Sequence, residues 1–262
     1  MKNKLENKIA VISGGDSGIG LAISKRLKAE NVKIFNISKG GEALDLFEKS
    51  FACDISDDEK VKTVVDEILA EVGNIDLLFC NAGFGIAGKV ENASIESIDK
   101  IMNVNLLAHM KMTRLFLNNI NEKGKIIFTG SLASIIPLPY QACYSASKAG
   151  IESFSRALNS ELKSKKITTT TIMPGDINTN FTAERVKETG SSKDENRGIM
   201  KMEKAEKNGK NPDFVAKRVL KIAKKKNPPL RSSIGGSSKF LAGLVKIVPI
   251  RLLNFLVKNI YT

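Results

Sequence analysis

The 262-residue chain has few of the residues from which proteins build metal centres and aromatic binding surfaces. It has no Trp, a single His and three cysteines, Cys53, Cys80 and Cys143, at no metal-ligand spacing, so no resident metal is expected. Even its last apolar segment, residues 239–261, is too interrupted to predict a membrane span. The polar start, residues 1–8, has no apolar signal region, and with the odd cysteine count it favours a reduced, cytoplasmic protein.

The net charge of +13 is concentrated in the last third of the chain. Residues 1–181 carry 22 Lys and Arg against 21 Asp and Glu, whereas residues 182–262 carry 19 against 7. Nucleic-acid binding would depend on this charge alone, because no array of base-stacking aromatics accompanies it. No nucleic-acid partner is therefore expected.

Strand-length apolar runs alternate with longer helical patterns from residue 8 onwards. The alternation predicts an α/β fold, a Rossmann-type doubly wound parallel sheet of about seven strands with helices on both faces. Residues 1–236 are expected to form a single domain, because no linker divides them. The domain would include a substrate loop at residues 180–212, and the tail, residues 237–262, would be an amphipathic extension.

The predicted first strand ends in a glycine-rich turn, Ser13 to Gly20, which opens a predicted helix. Glycines let the backbone turn tightly and approach a pyrophosphate, whose charge is favoured at a helix N-terminus. In doubly wound sheets, cofactors bind beyond the carboxyl ends of the strands. The turn therefore favours a cofactor site over an ordinary strand-to-helix connection.

Tyr144 is followed four residues later by Lys148 within a predicted helix, which brings both side chains to one helical face. A free Tyr titrates near pKa ~10, and a neighbouring ammonium favours the phenolate and lowers that pKa. The pair is a candidate proton shuttle. Lys is so frequent in this chain that a chance pairing is the alternative, and other landmarks have to decide.

The glycine turn and the Tyr-Lys pair together resemble the short-chain dehydrogenase/reductase family, over roughly residues 5–180. Further landmarks occur in the family's order: Asn81-Ala82-Gly83 after the fourth strand, Asn103-Val104-Asn105-Leu106 on the long helix, Ser131 thirteen residues before Tyr144, and Pro174-Gly175 with Thr179 after the sixth strand. Two positions depart from the pattern. Ser13 replaces the usual Thr and keeps a hydroxyl, and Cys80 replaces the first Asn as a small, soft filler that we do not expect to be catalytic.

The resemblance implies a role for each catalytic candidate. Tyr144 would be the general acid in ketone reduction, and the base in alcohol oxidation. Lys148 would lower the pKa of Tyr144 and hold the nicotinamide ribose. Ser131 would hydrogen-bond the substrate oxygen, and Asn105 would hold a water that links Lys148 to solvent. The only His, His109, is expected to pack at a subunit contact.

The resemblance also implies a nicotinamide cofactor site. Its residues would be Gly14, Asp16, Ser17, Gly18, Ile19, Gly20, Ser38, Lys39, Asp54, Ile55, Asn81, Ala82, Gly83, Tyr144, Lys148, Pro174, Gly175, Ile177 and Thr179. The second strand ends without a carboxylate. Because Ser38 can donate to a 2′-phosphate and Lys39 can neutralise it, NADP(H) is favoured over NAD, although Lys39 as a solvated loop charge is the alternative.

The substrate loop is polar, with Phe181, Ile199, Met200 and Met202 as its main apolar contacts and little strand or helix-core pattern. The tail repeats apolar residues at helical spacing around basic residues, with Pro249 inside. Three interpretations are open for it: a helix over the substrate site, a dimer contact, or a weak contact with an anionic membrane surface.

The leading hypothesis is an NADP(H)-dependent oxidoreductase that interconverts a hydrophobic, steroid-like or lipid-like ketone and a secondary alcohol by hydride transfer. A reductase of 3-oxoacyl thioesters is one alternative. A protein that binds NADP as a sensor or scaffold without turnover is another, of a different class. The resemblance implies a homodimer or homotetramer, assembled through the two long helices.

Overall fold

The computed structural model describes residues 4–190, 192–245 and 247–261. Residues 1–3 of the polar start, Ser191 of the substrate loop, and Lys246 and Thr262 of the tail lie outside the described residues.

Strand-length apolar runs of the sequence form a parallel sheet. In chain order the strands are β1 (Ile9–Ser13), β2 (Lys33–Ser38), β3 (Lys49–Ala52), β4 (Ile75–Cys80), β5 (Ile86–Ala87), β6 (Ile120–Thr129), β7 (Thr168–Pro174), β8 (Val186–Lys187) and β9 (Arg231–Ile234). Seven of them form the main sheet in the order β3-β2-β1-β4-β6-β7-β9, and every pairing is parallel. The short strands β5 and β8 pair separately.

Helices cover both faces of the main sheet. In chain order the helices of the described residues are α1 (Gly18–Lys28), α2 (Asp58–Val72), α3 (Ile95–Met102), α4 (Ala108–Phe116), α5 (Ala142–Glu161), α6 (Lys193–Lys207), α7 (Pro212–Ala223), α8 (Gly236–Leu244) and α9 (Ile250–Tyr261). Side chains of α1 and α7 fill the core on one face, and those of α2, α4 and α5 fill the core on the other. The predicted doubly wound Rossmann-type fold is confirmed.

The predicted long helix at residues 95–117 contains a π-helical turn, Asn103–Leu107, between α3 and α4. Such turns insert one residue into the helical repeat and often mark functional positions. Here the turn contains Asn105, whose side chain is fully buried.

The expectation that residues 180–212 lack helix-core pattern is wrong, because α6 occupies the middle of this segment. Its inner face includes Ile199 and Met202, but Met200 is 65% exposed and is not a buried contact. The same face buries a carboxylate, Glu195, which accepts hydrogen bonds from the backbone N–H groups of Lys89 (2.6 Å) and Gly190 (3.1 Å). Hydropathy alone could not identify a face that uses an acid in this way.

Candidate active site

A cavity of about 910 Å³ lies beyond the carboxyl ends of β1, β2, β4, β6 and β7. It brings together all the predicted site residues except Gly20 and Asn105: Gly14, Asp16, Ser17, Gly18, Ile19, Ser38, Lys39, Asp54, Ile55, Asn81, Ala82, Gly83, Ser131, Tyr144, Lys148, Pro174, Gly175, Ile177 and Thr179. The two exceptions lie directly behind the cavity wall and shape it.

The glycine turn needs residues without a Cβ. Gly14 and Gly18 have φ values of +65° and +49°, in the left-handed region that glycine tolerates best. A Cβ on Gly20 would overlap the carbonyl oxygen of Gly14, so the start of α1 can pack this closely only with glycine at that position. The turn thereby presents bare backbone at the N-terminus of α1, which is the environment that a pyrophosphate needs.

Ser13 links the glycine turn to the end of β4. Its hydroxyl accepts hydrogen bonds from the backbone N–H groups of Asn81 (3.0 Å) and Ala82 (3.1 Å). The side-chain amide of Asn81 donates back to the carbonyl oxygens of Ser13 (3.2 Å) and Gly14 (3.0 Å). A serine hydroxyl is therefore sufficient here, and the departure from Thr leaves the turn intact.

Asn105 fixes the next stretch of the same wall. Its side-chain amide donates to the carbonyl oxygen of Phe84 at 2.9 Å, and its oxygen accepts from the N–H of Phe84 at 3.0 Å. A Cβ on Gly83 would lie 2.9 Å from the oxygen of Asn105 and 3.4 Å from Lys148 Nζ. Asn105 thus clamps the backbone that passes beside Lys148.

Tyr144, Ser131 and Lys148 line the cavity at the ends of β6 and α5. Ser131 caps the turn Leu132–Ser134, and Tyr144 packs against the ring of Phe181 at a centroid distance of 5.9 Å. Burial raises the pKa of Tyr144 to about 12, and a hydrogen bond with Ser131 acts in the opposite direction. The phenol is therefore protonated at neutral pH, the state that a proton donor needs.

The lowering of this pKa that we expected from Lys148 is not what the structure shows. Lys148 Nζ donates to the carbonyl oxygen of Thr129 at 2.9 Å and lies 5.9 Å from the centre of the Tyr144 ring. Burial lowers the pKa of Lys148 itself to about 8. The helical spacing correctly placed both residues in one site, but it could not show that desolvation outweighs the charge of Lys148.

His109 lies inside the chain, behind the cofactor-side turn, rather than at the surface as a subunit contact would require. It is 2% exposed, and its Nε2 donates to the carbonyl oxygen of Ala82 at 2.7 Å. Burial, followed by the charge of Lys148, lowers the pKa of His109 to about 4, so the ring is neutral at pH 7. A neutral His at this position supports the backbone of the Asn81 to Gly83 turn.

The sequence at the end of β2 has no carboxylate, but the fold brings carboxylates from other segments beside it. Ser38 donates to Asp16 Oδ2 at 2.5 Å, so a carboxylate from the glycine turn lies beside the hydroxyl. Lys39 forms an ion pair with Asp54 at 2.9 Å and is 68% exposed. Both groups that were expected to bind a 2′-phosphate therefore have acidic neighbours.

Several lining residues were missed by sequence reasoning. They come from the substrate loop and the tail: Glu184, Val186, Glu206, Leu241, Leu244, Leu253, Leu256 and Val257. Apart from Val186 of β8, the apolar members come from α8 and α9, whose helical spacing was visible in the sequence but whose direction was not. Cys80, in contrast, does not line the cavity: it is buried against Thr113, and burial raises the pKa of its thiol to about 12.

The residues present fit a dinucleotide. The cavity runs from a glycine turn at a helix N-terminus, which can hold phosphates, to a protonated Tyr beside a Ser hydroxyl and a buried ammonium. Such a cavity can hold an extended cofactor and place a carbonyl compound against the phenol.

Comparison with known proteins also indicates an enzyme that binds a dinucleotide. Residues 8–190 match the family model for the short chain dehydrogenase. The 3-ketodihydrosphingosine reductase of Bacteroides thetaiotaomicron is 32% identical over 239 residues, which cover 88% of this chain and 89% of that protein.

Two solved structures share the fold. A short-chain dehydrogenase from Streptomyces avermitilis has a TM-score of 0.84 at 22% identity, over 95% of this chain and 96% of that one. A 3-ketoacyl-(acyl-carrier-protein) reductase from Brucella melitensis, complexed with NADH, has a TM-score of 0.75 at 25% identity, over 89% and 99%. Since sequence, fold and cavity agree, the chain belongs to the short-chain dehydrogenase/reductase family and is an oxidoreductase that uses a nicotinamide cofactor.

Proposed function

We propose that this enzyme reduces the ketone of a long-chain, lipid-like substrate to a secondary alcohol, with NADPH as the preferred cofactor. One observation carries the proposal. The cavity that contains Ser131, Tyr144 and Lys148 has a second wall of apolar side chains from the tail: Leu241, Leu244, Leu253, Leu256 and Val257. An apolar wall of this kind favours an alkyl chain over a small polar ketone.

In this proposal the bound nicotinamide supplies the hydride, and the chain's own residues handle the proton and the charge. Tyr144 donates its proton to the ketone oxygen, for which its protonated state is suited. Ser131 donates a hydrogen bond to the same oxygen while charge develops there. Lys148 holds the cofactor ribose as a cation, and Asn105 keeps the wall beside Lys148 in place and holds a water that links Lys148 to solvent.

Among substrates, the Bacteroides relative supports a long-chain ketone. Its name specifies 3-ketodihydrosphingosine, an alkyl ketone with an amino group on the neighbouring carbon, and its similarity covers 88% of this chain. The Brucella structure favours the alternative, a 3-oxoacyl thioester on a carrier protein. A third hypothesis, cofactor binding without turnover, gives no reason for Tyr144, Ser131 and Lys148 to line one cavity.

The decisive assay follows NADPH oxidation with 3-ketodihydrosphingosine and, separately, with a 3-oxoacyl thioester. We expect turnover of the first, and a fall in kcat of about 100- to 10,000-fold in Tyr144→Phe, which removes the proton donor but keeps the ring. Faster turnover of the thioester would favour the carrier-protein reductase. NADPH binding without any turnover that depends on Tyr144 would support the non-catalytic hypothesis.

The preference for NADPH is supported by the exposed cation Lys39 and by the absence of a carboxylate from β2 itself. Asp16 opposes it, because its carboxylate contacts Ser38. We expect Ser38→Asp to reverse the preference and Asp16→Asn to strengthen it, each measured as the ratio of Kd values for NADPH and NADH. An unchanged ratio in Ser38→Asp would overturn the assignment.

We also propose that the tail contacts an anionic membrane surface on its outer side. Leu253 and Val257 of α9 pack inward on Ile136, so this side of the helix is covered. The outer side is apolar too, with the following fractions exposed: Phe240 69%, Ile247 85%, Ile250 73% and Phe255 58%. No helix within the described ranges has the length and apolar character needed to span a bilayer.

Charge favours lipid as the partner of this outer side. From residue 236 onwards the sequence has four basic residues, Lys239, Lys246, Arg251 and Lys258, and no Asp or Glu. Apolar side chains flanked by cations are suited to the interface of anionic lipids, where each cation near the surface contributes about 1 kcal/mol. Contact with the cytoplasmic leaflet agrees with the free thiols of Cys53, Cys80 and Cys143, and it would bring the substrate cavity near its lipid.

Vesicle co-sedimentation tests this contact. We expect binding to phosphatidylglycerol vesicles that weakens with salt, weaker binding to phosphatidylcholine, and loss of binding in Ile247→Ser/Ile250→Ser/Phe255→Ser. The matched control changes three other apolar residues that are each more than half exposed, Val90→Ser/Ile95→Ser/Met200→Ser. If the first triple variant instead abolished a dimer and vesicle binding were never seen, the tail would be a subunit contact.

For the oligomer we propose a homodimer or homotetramer built on a different surface. A groove of about 640 Å³ between α2, α4 and α5 has an apolar floor that includes Met110, Leu115 and Leu117. Its rim carries both signs of charge, with Asp58, Glu59, Lys62, Lys111, Arg114 and Glu161, as suits a patch that meets its own copy across a two-fold axis. Sedimentation velocity should show a dimer or larger species that Met110→Glu converts to monomer; a wild-type monomer would refute this.

A further inference from the structure

We infer that Glu206 recognises an ammonium group next to the ketone of the substrate, and so selects amino ketones over neutral ones. This inference rests on the proposed function, since it concerns the polar end of the same long-chain substrate. It assigns a specificity role to a residue of α6 that lies far from Tyr144 in the sequence.

Glu206 is held in a fixed orientation at the wall of the cavity. It lines the same cavity as Tyr144 and Ser131, and its side chain is only 19% exposed. One carboxylate oxygen accepts from Arg185 Nη2 at 2.5 Å, and the other accepts from the hydroxyl of Thr182 at 2.7 Å. These two bonds fix the orientation of the carboxylate, which a recognition group needs if it is to discriminate.

The cationic partner of Glu206 is turned away from the substrate. The Arg185 side chain is fully buried and is not among the cavity-lining residues, and its guanidinium lies 5.7 Å from the ring of Phe181. Phe181 in turn packs on Tyr144. The negative end of the ion pair therefore faces the cavity, and its positive end lies behind the wall.

The effect on neighbouring groups agrees with this orientation. The charge of Glu206 raises the pKa of Tyr144 by more than Arg185 lowers it. A second carboxylate, Asp176, lines the same cavity, and its pKa is raised by burial and then by Glu206. Two acids facing one space favour a cation between them. Among the described residues, the basic groups along this cavity are Lys148, bound to Thr129, Lys39, paired with Asp54, and Lys100, which lies over the ring of Phe84.

A carboxylate that already accepts two hydrogen bonds can still accept from an ammonium, because its two oxygens offer about four acceptor positions. An amine on the carbon next to the ketone would lie close to Tyr144 when the ketone oxygen accepts the proton of that residue. Glu206 lines the same cavity and lies near enough to Tyr144 for its charge to act on the phenol, whereas the apolar side chains of α8 and α9 offer partners for an alkyl chain.

The test compares two substrates in one variant. Steady-state kinetics are measured for 3-ketodihydrosphingosine and for the matched 1-hydroxy-3-ketone that lacks the amine, with wild type and Glu206→Gln. We expect kcat/KM for the amino ketone to fall by about 10- to 100-fold, mainly through KM, and that for the neutral ketone to change by less than about threefold.

The control is Glu203→Gln, which lies one turn earlier on α6 and pairs with Lys187 outside the cavity lining. It should leave both substrates unaffected. If Glu206→Gln is unstable because it leaves Arg185 without a charged partner, the double variant Arg185→Met/Glu206→Gln removes that cation and is assayed in the same way.

Two failures are distinguishable. If wild type reduces both ketones and Glu206→Gln reduces them with the same loss, Glu206 only holds α6 in place and the inference is wrong, while the proposed function stands. If wild type reduces neither long-chain ketone, the proposed function itself fails.

Discussion

The two ends of the cavity differ in what forms their walls: backbone at one end and side chains at the other. At the cofactor end the walls are backbone turns at the carboxyl ends of β1 and β4, tied together by Ser13 and Asn81. At the other end, which we propose holds the substrate, the walls include side chains from α6, α8 and α9, which are contributed by the substrate loop and the tail. The first end depends on the geometry of the sheet, and the second depends on which side chains the later helices bring to it.

This difference has a physical consequence for specificity. A backbone turn that is completed by glycine has little freedom to vary without losing its shape, because any Cβ at Gly20 meets the carbonyl of Gly14. A side chain on a helix, in contrast, can be replaced with the loss of only the contacts that it makes itself. We therefore expect the cofactor end to fix the class of reaction, and the substrate end to determine which substrate is accepted.

Among the changes that separate the two ends, the largest effect is expected for a substitution at the cofactor end alone. In Gly20→Ala the new Cβ overlaps Gly14 and lies 2.6 Å from the amide of Asn81, so the turn must shift. Overpacking of this kind costs about 1–3 kcal/mol, and we expect NADPH affinity to fall by roughly 100-fold. Fluorescence titration with NADPH measures the loss.

The matched control is Gly243→Ala in α8, where a Cβ meets nothing within 4 Å. It should leave NADPH affinity unchanged. Equal affinities of Gly20→Ala and wild type would show that the turn does not need glycine at this position, and would remove the basis of the comparison.

The same contrast explains what could be predicted from the sequence. The fold and the cofactor end were predictable because their signals are local: Gly14 to Gly20 lie between a strand and a helix, and a parallel sheet brings the ends of its strands to one edge. The side chains of Tyr144 and Lys148 share one helical face for the same local reason.

The substrate end was not predictable, because its contacts join distant segments. Glu206 meets Arg185 across a segment expected to lack helix-core pattern, and α6 buries Glu195 where hydropathy would look for an apolar residue. Protonation states also escaped prediction. The pKa of Tyr144 depends on how deeply the fold buries the phenol, which no spacing encodes.

A smaller expected effect concerns the stability of the fold behind the cofactor end, where His109 lies. The pKa of His109 is lowered from 6.5 to about 4 in the folded chain, so the native state prefers the neutral ring. As the pH falls below 6.5, the unfolded chain gains a proton that the native state does not, and stability is lost until about pH 4. We expect a loss on the order of 2 kcal/mol between pH 7 and pH 5.

Urea unfolding at several pH values measures this loss, with His109→Gln as the comparison because Gln can still donate to Ala82 but does not titrate. His109 is the only His in the chain, and carboxylates titrate alike in both proteins, so the difference between the two curves isolates it. Parallel curves would mean that His109 is free to take up a proton in the native state.

The smallest expected effect is a loss of activity toward a long-chain ketone that leaves cofactor binding unchanged. Leu253 is 8% exposed, packs on Ile136 and lines the cavity, whereas its neighbour Leu252 is 48% exposed and does not line it. In Leu253→Ala we expect kcat/KM for a long-chain ketone to fall by about tenfold, because the alkyl chain loses contacts equivalent to roughly two CH2 groups, each of which contributes about 0.8 kcal/mol. NADPH affinity should stay the same, and Leu252→Ala should change neither value. If Leu253→Ala weakened NADPH binding as strongly as ketone reduction, the two ends would be coupled, and the tail would support the whole cavity rather than its substrate side.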